Sequence, residues 1–101
     1  MTTSSPAHLV FYKKDKCRPC EVASENLEYV LNLSPHLEQY ITVLQKEEHP
    51  DLVEANNLNL YPTVLICNEH SQELSRKVGA KYLTTHWFHA ALTSIHLRTL
   101  A

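Results

Sequence analysis

The chain contains one glycine, one tryptophan, one methionine and only three cysteines in 101 residues. A single glycine, Gly79, excludes a Gly-rich phosphate-cradling loop. Three cysteines are an odd count and argue against a full disulfide framework. Neither sign of charge dominates: 9 Lys and Arg stand against 11 Asp and Glu, formally −2. No basic field therefore exists to draw the chain onto nucleic acid or an anionic membrane. The 7 histidines shift that balance only at mildly acidic pH. No apolar run approaches the roughly 18 residues of a membrane span. The opening MTTSSPAHLVFYKK lacks the basic start and longer apolar stretch of a secretory signal. These absences predict a reducing, cytoplasmic setting. There, closely spaced cysteines are more often catalytic or metal-binding than structural.

What is present suits one compact domain, with 44% hydrophobic residues to build its core. Residues 1–7, rich in Thr and Ser, are expected to fray, leaving 8–101 as a single domain. HLVFY (8–12) reads as a short buried strand bounded by Pro6 and by Lys13-Lys14-Asp15. A helix is predicted from Arg18 to Leu33, with Ala23, Leu27, Val30 and Leu31 on one face and Ser34-Pro35 ending it. Residues 39–45 read as a second strand. His49-Pro50-Asp51 opens a short helix that turns Leu52, Val53 and Ala55 inward, and Asn57 suits its left-handed end. TVLIC (63–67) reads as a central strand, and ELSRKV (73–78) alternates like a strand. Thr84 or Thr85 caps a last helix in which Phe88, Ala91, Leu92 and Ile95 share a face. The order β-α-β-α-β-β-α predicts an α/β fold: a mixed sheet, parallel at first, with helices on both faces.

The chemistry-bearing motif is KKDKCRPCE (13–21). Cys17 and Cys20 lie between the first strand and the first helix. A thiol at a helix N-terminus meets unsatisfied N–H groups and the positive end of the dipole, which favour thiolate. Lys13, Lys14, Lys16 and Arg18 act in the same direction. Cys17 is thus the expected nucleophile, and Cys20, one turn inward, the resolving thiol. Two intervening residues close a small ring, and Pro19 stiffens it. A second feature is Leu60-Tyr61-Pro62-Thr63-Val64, where a proline precedes an apolar strand. A cis Tyr61–Pro62 bond would account for its tolerance there.

Taken together, these residues resemble the thioredoxin superfamily, from about His8 to Leu97. Cys17-Arg18-Pro19-Cys20 is similar to the active-site tetrad, Tyr61-Pro62-Thr63 to the cis-proline loop, and Lys77-Val78-Gly79-Ala80 to the segment before the last helix. The match is better to thioredoxins than to glutaredoxins. The resemblance implies a thioredoxin-like, four-stranded fold and a thiol-disulfide oxidoreductase with catalytic Cys17 and Cys20. It implies substrate contacts at Arg18, Pro19, Tyr61, Pro62 and Gly79, with the Tyr61 backbone pairing to an extended target and Pro62 keeping metal from the sulfurs. No bound cofactor is required. The implied partners are a disulfide-containing protein and an external thiol donor, either a flavin-dependent reductase or glutathione, with the protein itself a monomer. Two departures stand out: Lys16 replaces the thioredoxin tryptophan, and Phe11 replaces the buried strand acid. They fit a dedicated target better than general disulfide reduction.

Two rival readings come from other classes. Cys17, Cys20, Cys67 and His70 form C-x2-C and C-x2-H pairs, which supply a chemically reasonable Cys₃His zinc site. Cys67, however, ends an apolar strand, where a free cysteine behaves as a small hydrophobe. The other rival is a redox-inactive thioredoxin-fold binding module with a vestigial CxxC. His86 and His89 share a helix face and read as a solvated stripe. His36, His49, His70 and His96 read as surface or cap residues, and His8 as a strand-edge residue. Tyr29, Tyr40 and Tyr82 read as partly buried packing residues.

Overall fold

A computed structural model describes residues 5–101. Residues 1–4 of the segment expected to fray lie outside the described residues. Strand β1 (His8–Lys13) leads into helix α1 (Arg18–Leu33), followed by a 3₁₀ helix (Pro35–Tyr40) and strand β2 (Ile41–Gln45). A 3₁₀ turn (Lys46–Glu48), helix α2 (Pro50–Ala55), strands β3 (Thr63–Cys67) and β4 (Glu73–Val78), and helix α3 (Thr85–Leu100) complete the chain.

The four strands form one mixed sheet in the order β2-β1-β3-β4. β1 runs parallel to β2, with Leu9 opposite Ile41 and Lys13 opposite Gln45. β3 is antiparallel to β1, with Tyr12 opposite Thr63 and His8 opposite Cys67. β4 is antiparallel to β3 and forms an edge. Alternation along β1 builds a core on each face. Leu9 and Phe11 face α1 and α3, meeting Ala23, Leu27, Val30, Phe88, Leu92 and Ile95. Val10 and Tyr12 face the other way, with Leu58, Leu65, Cys67 and Val53 of α2. The helices therefore cover both faces. Leu9, Phe11, Leu83, Phe88 and Leu92 have no exposed surface. Burying each such side chain contributes roughly 1.5–3 kcal/mol.

Caps agree with the sequence. The Thr84 hydroxyl accepts the Trp87 N–H at 3.0 Å and starts α3. Asn57 has φ 52 and leaves α2 through the left-handed region. Elsewhere the structure corrects the reading. The second strand starts at Ile41, because Pro35–Tyr40 winds as a 3₁₀ helix. Three residues per turn put Leu37 and Tyr40 on one buried face, a spacing that a strand cannot satisfy. Within α2 only Val53 packs inward, while Leu52 and Ala55 are exposed. The edge strand β4 does not alternate: Glu73 to Arg76 are all exposed. His8 lies on a central strand rather than at a sheet edge. Tyr40 is buried, but Tyr29 and Tyr82 are 59% and 55% exposed.

Candidate redox site

The site forms where β1 gives way to α1. Lys14, Asp15 and Lys16 make the connection, and Lys16 takes φ 50, a left-handed conformation that a side chain disfavours. Cys17 then returns to extended backbone and occupies the N-cap of α1. Its Sγ accepts the Cys20 N–H at 3.2 Å, while its carbonyl accepts the Glu21 N–H at 3.1 Å. Pro19 lies in the first turn, where no intrahelical N–H is needed. Cys17 and Cys20 are joined as a disulfide, their Cα atoms 5.2 Å apart. Cys20 is the deeper of the two, at 2% exposure against 7% for Cys17.

The Cys17 sulfur thus accepts a first-turn N–H of α1, that of Cys20. That environment favours negative charge on sulfur. Beside it is a cavity of about 240 Å³ lined by Lys13, Lys16, both cysteines, Ser24 and Gln45, among others. Phe11, which the resemblance sets at the place of a buried strand acid, is fully buried in the α1-facing core. Arg18 donates to Glu21 at 3.1 Å, both side chains well exposed.

One contributor escaped the sequence reading. The Glu47 carboxylate accepts the Asp15 backbone N–H at 3.2 Å and 3.4 Å and the Gln45 amide at 2.6 Å. The Gln45 hydrogen bond, aided by backbone donors at Glu47 and Asp15, holds its pKa below the ordinary glutamate value against partial desolvation. The parallel β1–β2 register explains the meeting, since it sets the residues after Gln45 beside those after Lys13. No local motif signals such a contact.

The Tyr61–Pro62 peptide is cis, and Pro62 is buried at the start of β3, at the same end of the sheet as Cys17. Three bonds brace this loop: Tyr61 OH to Leu58 O at 3.1 Å, Thr63 Oγ1 to Leu60 O at 2.6 Å, and Gly79 N–H to Pro62 O at 2.9 Å. The Lys46 Nζ lies 5.3 Å from the Tyr61 ring centre, and burial raises the Tyr61 pKa, with Glu47 adding to it. Gly79 has φ 95, which accounts for a glycine there. A Cβ added to it would meet nothing within 4 Å, so the space beside it is open.

The zinc reading fails on topology. Antiparallel pairing puts Cys67 opposite His8, at the end of the sheet remote from Cys17 and Cys20. Thr63 and Cys67 are four residue steps apart along β3, about 13 Å at the usual rise per residue. His70 lies beyond Cys67 in the turn to β4. Among the described residues no three His, Cys, Asp or Glu side chains converge to hold a metal. Cys67 is instead a buried free thiol whose pKa is raised by burial and further by Glu73. His86 and His89 are exposed on α3. His96 is half-buried, its Nδ1 2.8 Å from the Tyr40 hydroxyl and its ring 4.7 Å from that of His36.

No protein-family model matches the chain, and no curated protein sequence does. Solved structures do. Thioredoxin 1 of Thermosipho africanus is 16% identical, with a TM-score of 0.67 over 93% of this chain and 99% of that one. The thioredoxin of Malassezia sympodialis is 16% identical, with a TM-score of 0.66 over 90% of this chain and 76% of its own. That of Fasciola hepatica is 17% identical, with a TM-score of 0.66 over 87% and 81%. At such identities the likeness speaks for architecture, and with the sheet order and the helices on both faces it establishes that this chain has the thioredoxin fold.

Proposed function

We propose that the protein is a thiol-disulfide oxidoreductase that uses Cys17 and Cys20 to reduce or exchange disulfides of a protein partner. The observation that carries this reading is the Cys17–Cys20 disulfide at the N-terminus of α1, with the Cys17 sulfur accepting the Cys20 N–H. The reduced Cys17 thiolate attacks one sulfur of a target disulfide. A Cys17–target bond forms, the target S–S bond breaks, and the departing thiolate takes up a proton. Cys20, deprotonated, then attacks the Cys17 sulfur and displaces the second target thiolate, which is protonated in turn. Two electrons and two protons pass to the target, and the Cys17–Cys20 disulfide remains. An external thiol donor, a flavin-dependent reductase or glutathione, restores the dithiol, and the cycle needs no bound cofactor. Arg18, Pro19, the Tyr61–Pro62 loop and the open space at Gly79 are the proposed contacts for an extended target segment.

The test is a trapping pair. Cys20→Ser is expected to accumulate a mixed disulfide with the target through Cys17, and Cys17→Ser to form none and lose turnover. A Cys17→Ser protein that retained turnover would contradict the reading. A second reading, a redox-inactive binding module, draws on Phe11, a buried residue of β1 that supplies no acid. It requires that the Cys17–Cys20 disulfide resist cellular reductants.

A further inference from the structure

The cations of this chain are unevenly placed. The chain carries 9 Lys and Arg, and Lys13, Lys14, Lys16 and Arg18 flank or enter the CxxC. Two more reach the same end of the sheet. Lys46 follows β2, whose Gln45 pairs with Lys13, and Lys81 follows β4, whose Val78 pairs with Thr63. Acids lie there too: Asp15 and Glu21 beside the cysteines, and Glu47 and Glu48 in the turn that follows β2. Within residues 13–21 alone, Lys13, Lys14, Lys16 and Arg18 stand against Asp15 and Glu21, a local +2 in a chain of formal −2, so the rest of the chain carries −4.

The acids at this end are partly committed elsewhere. Glu21 pairs with Arg18 at 3.1 Å. Glu47 turns its carboxylate to the Asp15 N–H and the Gln45 amide. Among the described residues Lys13, Lys14 and Lys16 form no ion pair. Lys14 and Lys16 are exposed and sit on the connection that ends in Cys17. Lys16 is thrust out by a left-handed backbone, at the position where thioredoxins carry tryptophan.

We propose that this rim selects protein disulfides flanked by acidic residues, with Lys14 and Lys16 meeting target carboxylates as the target disulfide comes up to Cys17. The inference rests on the oxidoreductase reading and adds the substrate class to it. Charges of one sign around a reacting group raise the encounter rate of the opposite sign, and salt screens the effect.

Three synthetic peptides test it, each with the same disulfide ring and flanked by Glu, Gln or Lys. The reduced full-length protein is mixed with each peptide, and the second-order reduction rate is followed across a salt series. The Glu-flanked peptide is expected to react roughly tenfold faster than the Lys-flanked one at low ionic strength, with the gap closing as salt rises. In the double variant Lys14→Glu with Lys16→Glu, checked for folding by circular dichroism, the order is expected to invert. Equal rates for the three peptides, a preference for the Lys-flanked one, or a Glu preference that survives the double variant would each overturn the rim. Reduction of none of the three would instead sink the oxidoreductase reading, so the two failures are told apart.

Discussion

Glu47 reaches across 32 residues of sequence to accept the backbone N–H of Asp15, two positions before the N-cap cysteine. The acceptor follows β2 and the donor follows β1, so the contact ties together the ends of two parallel neighbours. Between Asp15 and Cys17 stands Lys16 at φ 50. A residue in that conformation persists only where its surroundings hold it. The Glu47 carboxylate is therefore placed to steady the loop that ends in Cys17.

Removing that clamp has a definite expectation. Glu47→Ala is expected to speed hydrogen exchange at the Asp15 amide and to lower the disulfide-reduction rate roughly tenfold, as a misplaced reacting group does. Glu47→Gln, which keeps an acceptor oxygen, is expected to fall between. Because the Glu47 pKa is lowered in the folded protein, the clamp's contribution is complete above the ordinary glutamate range and is lost as pH falls through the lowered value. Asp15 amide protection measured by NMR against pH should follow that course. Protection that was flat through acid pH, or unchanged in Glu47→Ala, would remove Glu47 from the account.

The two kinds of cysteine should separate chemically. Cys67 is 4% exposed and its pKa is raised, so its thiolate is scarce at neutral pH. In the reduced protein its alkylation is expected to be about a hundredfold slower than that of Cys17. Denaturant should abolish the difference. Comparable rates in the folded state would mean that Cys67 is not held as the structure holds it.

The core carries a stability prediction. Phe88 is fully buried, its ring centroid 6.0 Å from that of Phe11. Phe88→Ala is expected to cost about 3–5 kcal/mol by urea unfolding, a large share of the roughly 5–15 kcal/mol typical of a domain. A loss below about 1 kcal/mol would contradict close packing between α3 and the sheet.

Gly79 separates conformation from space. At φ 95 a side chain is strained, yet nothing lies within 4 Å of an added Cβ. Gly79→Ala should destabilise the fold by about 1–2 kcal/mol through the backbone alone. If the open space receives the target, KM should also rise while the intrinsic reactivity of Cys17 toward a small alkylating agent holds. An unchanged KM would remove Gly79 from the target contacts.

Much of this architecture was legible because its signals are local. The bounds of α1 follow from the spacing of Ala23, Leu27 and Val30, with Pro19 at one end and Ser34-Pro35 at the other. Thr84 announces the start of α3 through its own capping chemistry. The 3₁₀ helix over 35–40 escaped because the next residues, from Ile41, are genuine strand, and β-formers such as Tyr40 blur the join. Leu52 and Ala55 misled because a six-residue helix touches the sheet through one side chain, Val53, and local periodicity cannot choose which. The zinc reading treated spacing as proximity. Only the antiparallel register shows that Cys67 lies at the far end of the sheet. Glu47 was illegible for the same reason, since its function depends on the pairing of strands far apart in sequence.

The most direct test of the central claim is a redox titration of the purified protein. Thiols are trapped by alkylation across a series of dithiol buffers and counted by mass, with bound zinc assayed on the same sample. The account predicts one reversible two-electron step confined to Cys17 and Cys20, with Cys67 free throughout. A Cys17–Cys20 pair that never cycles, or one equivalent of zinc that protects Cys17, Cys20 and Cys67 until chelation, would contradict it.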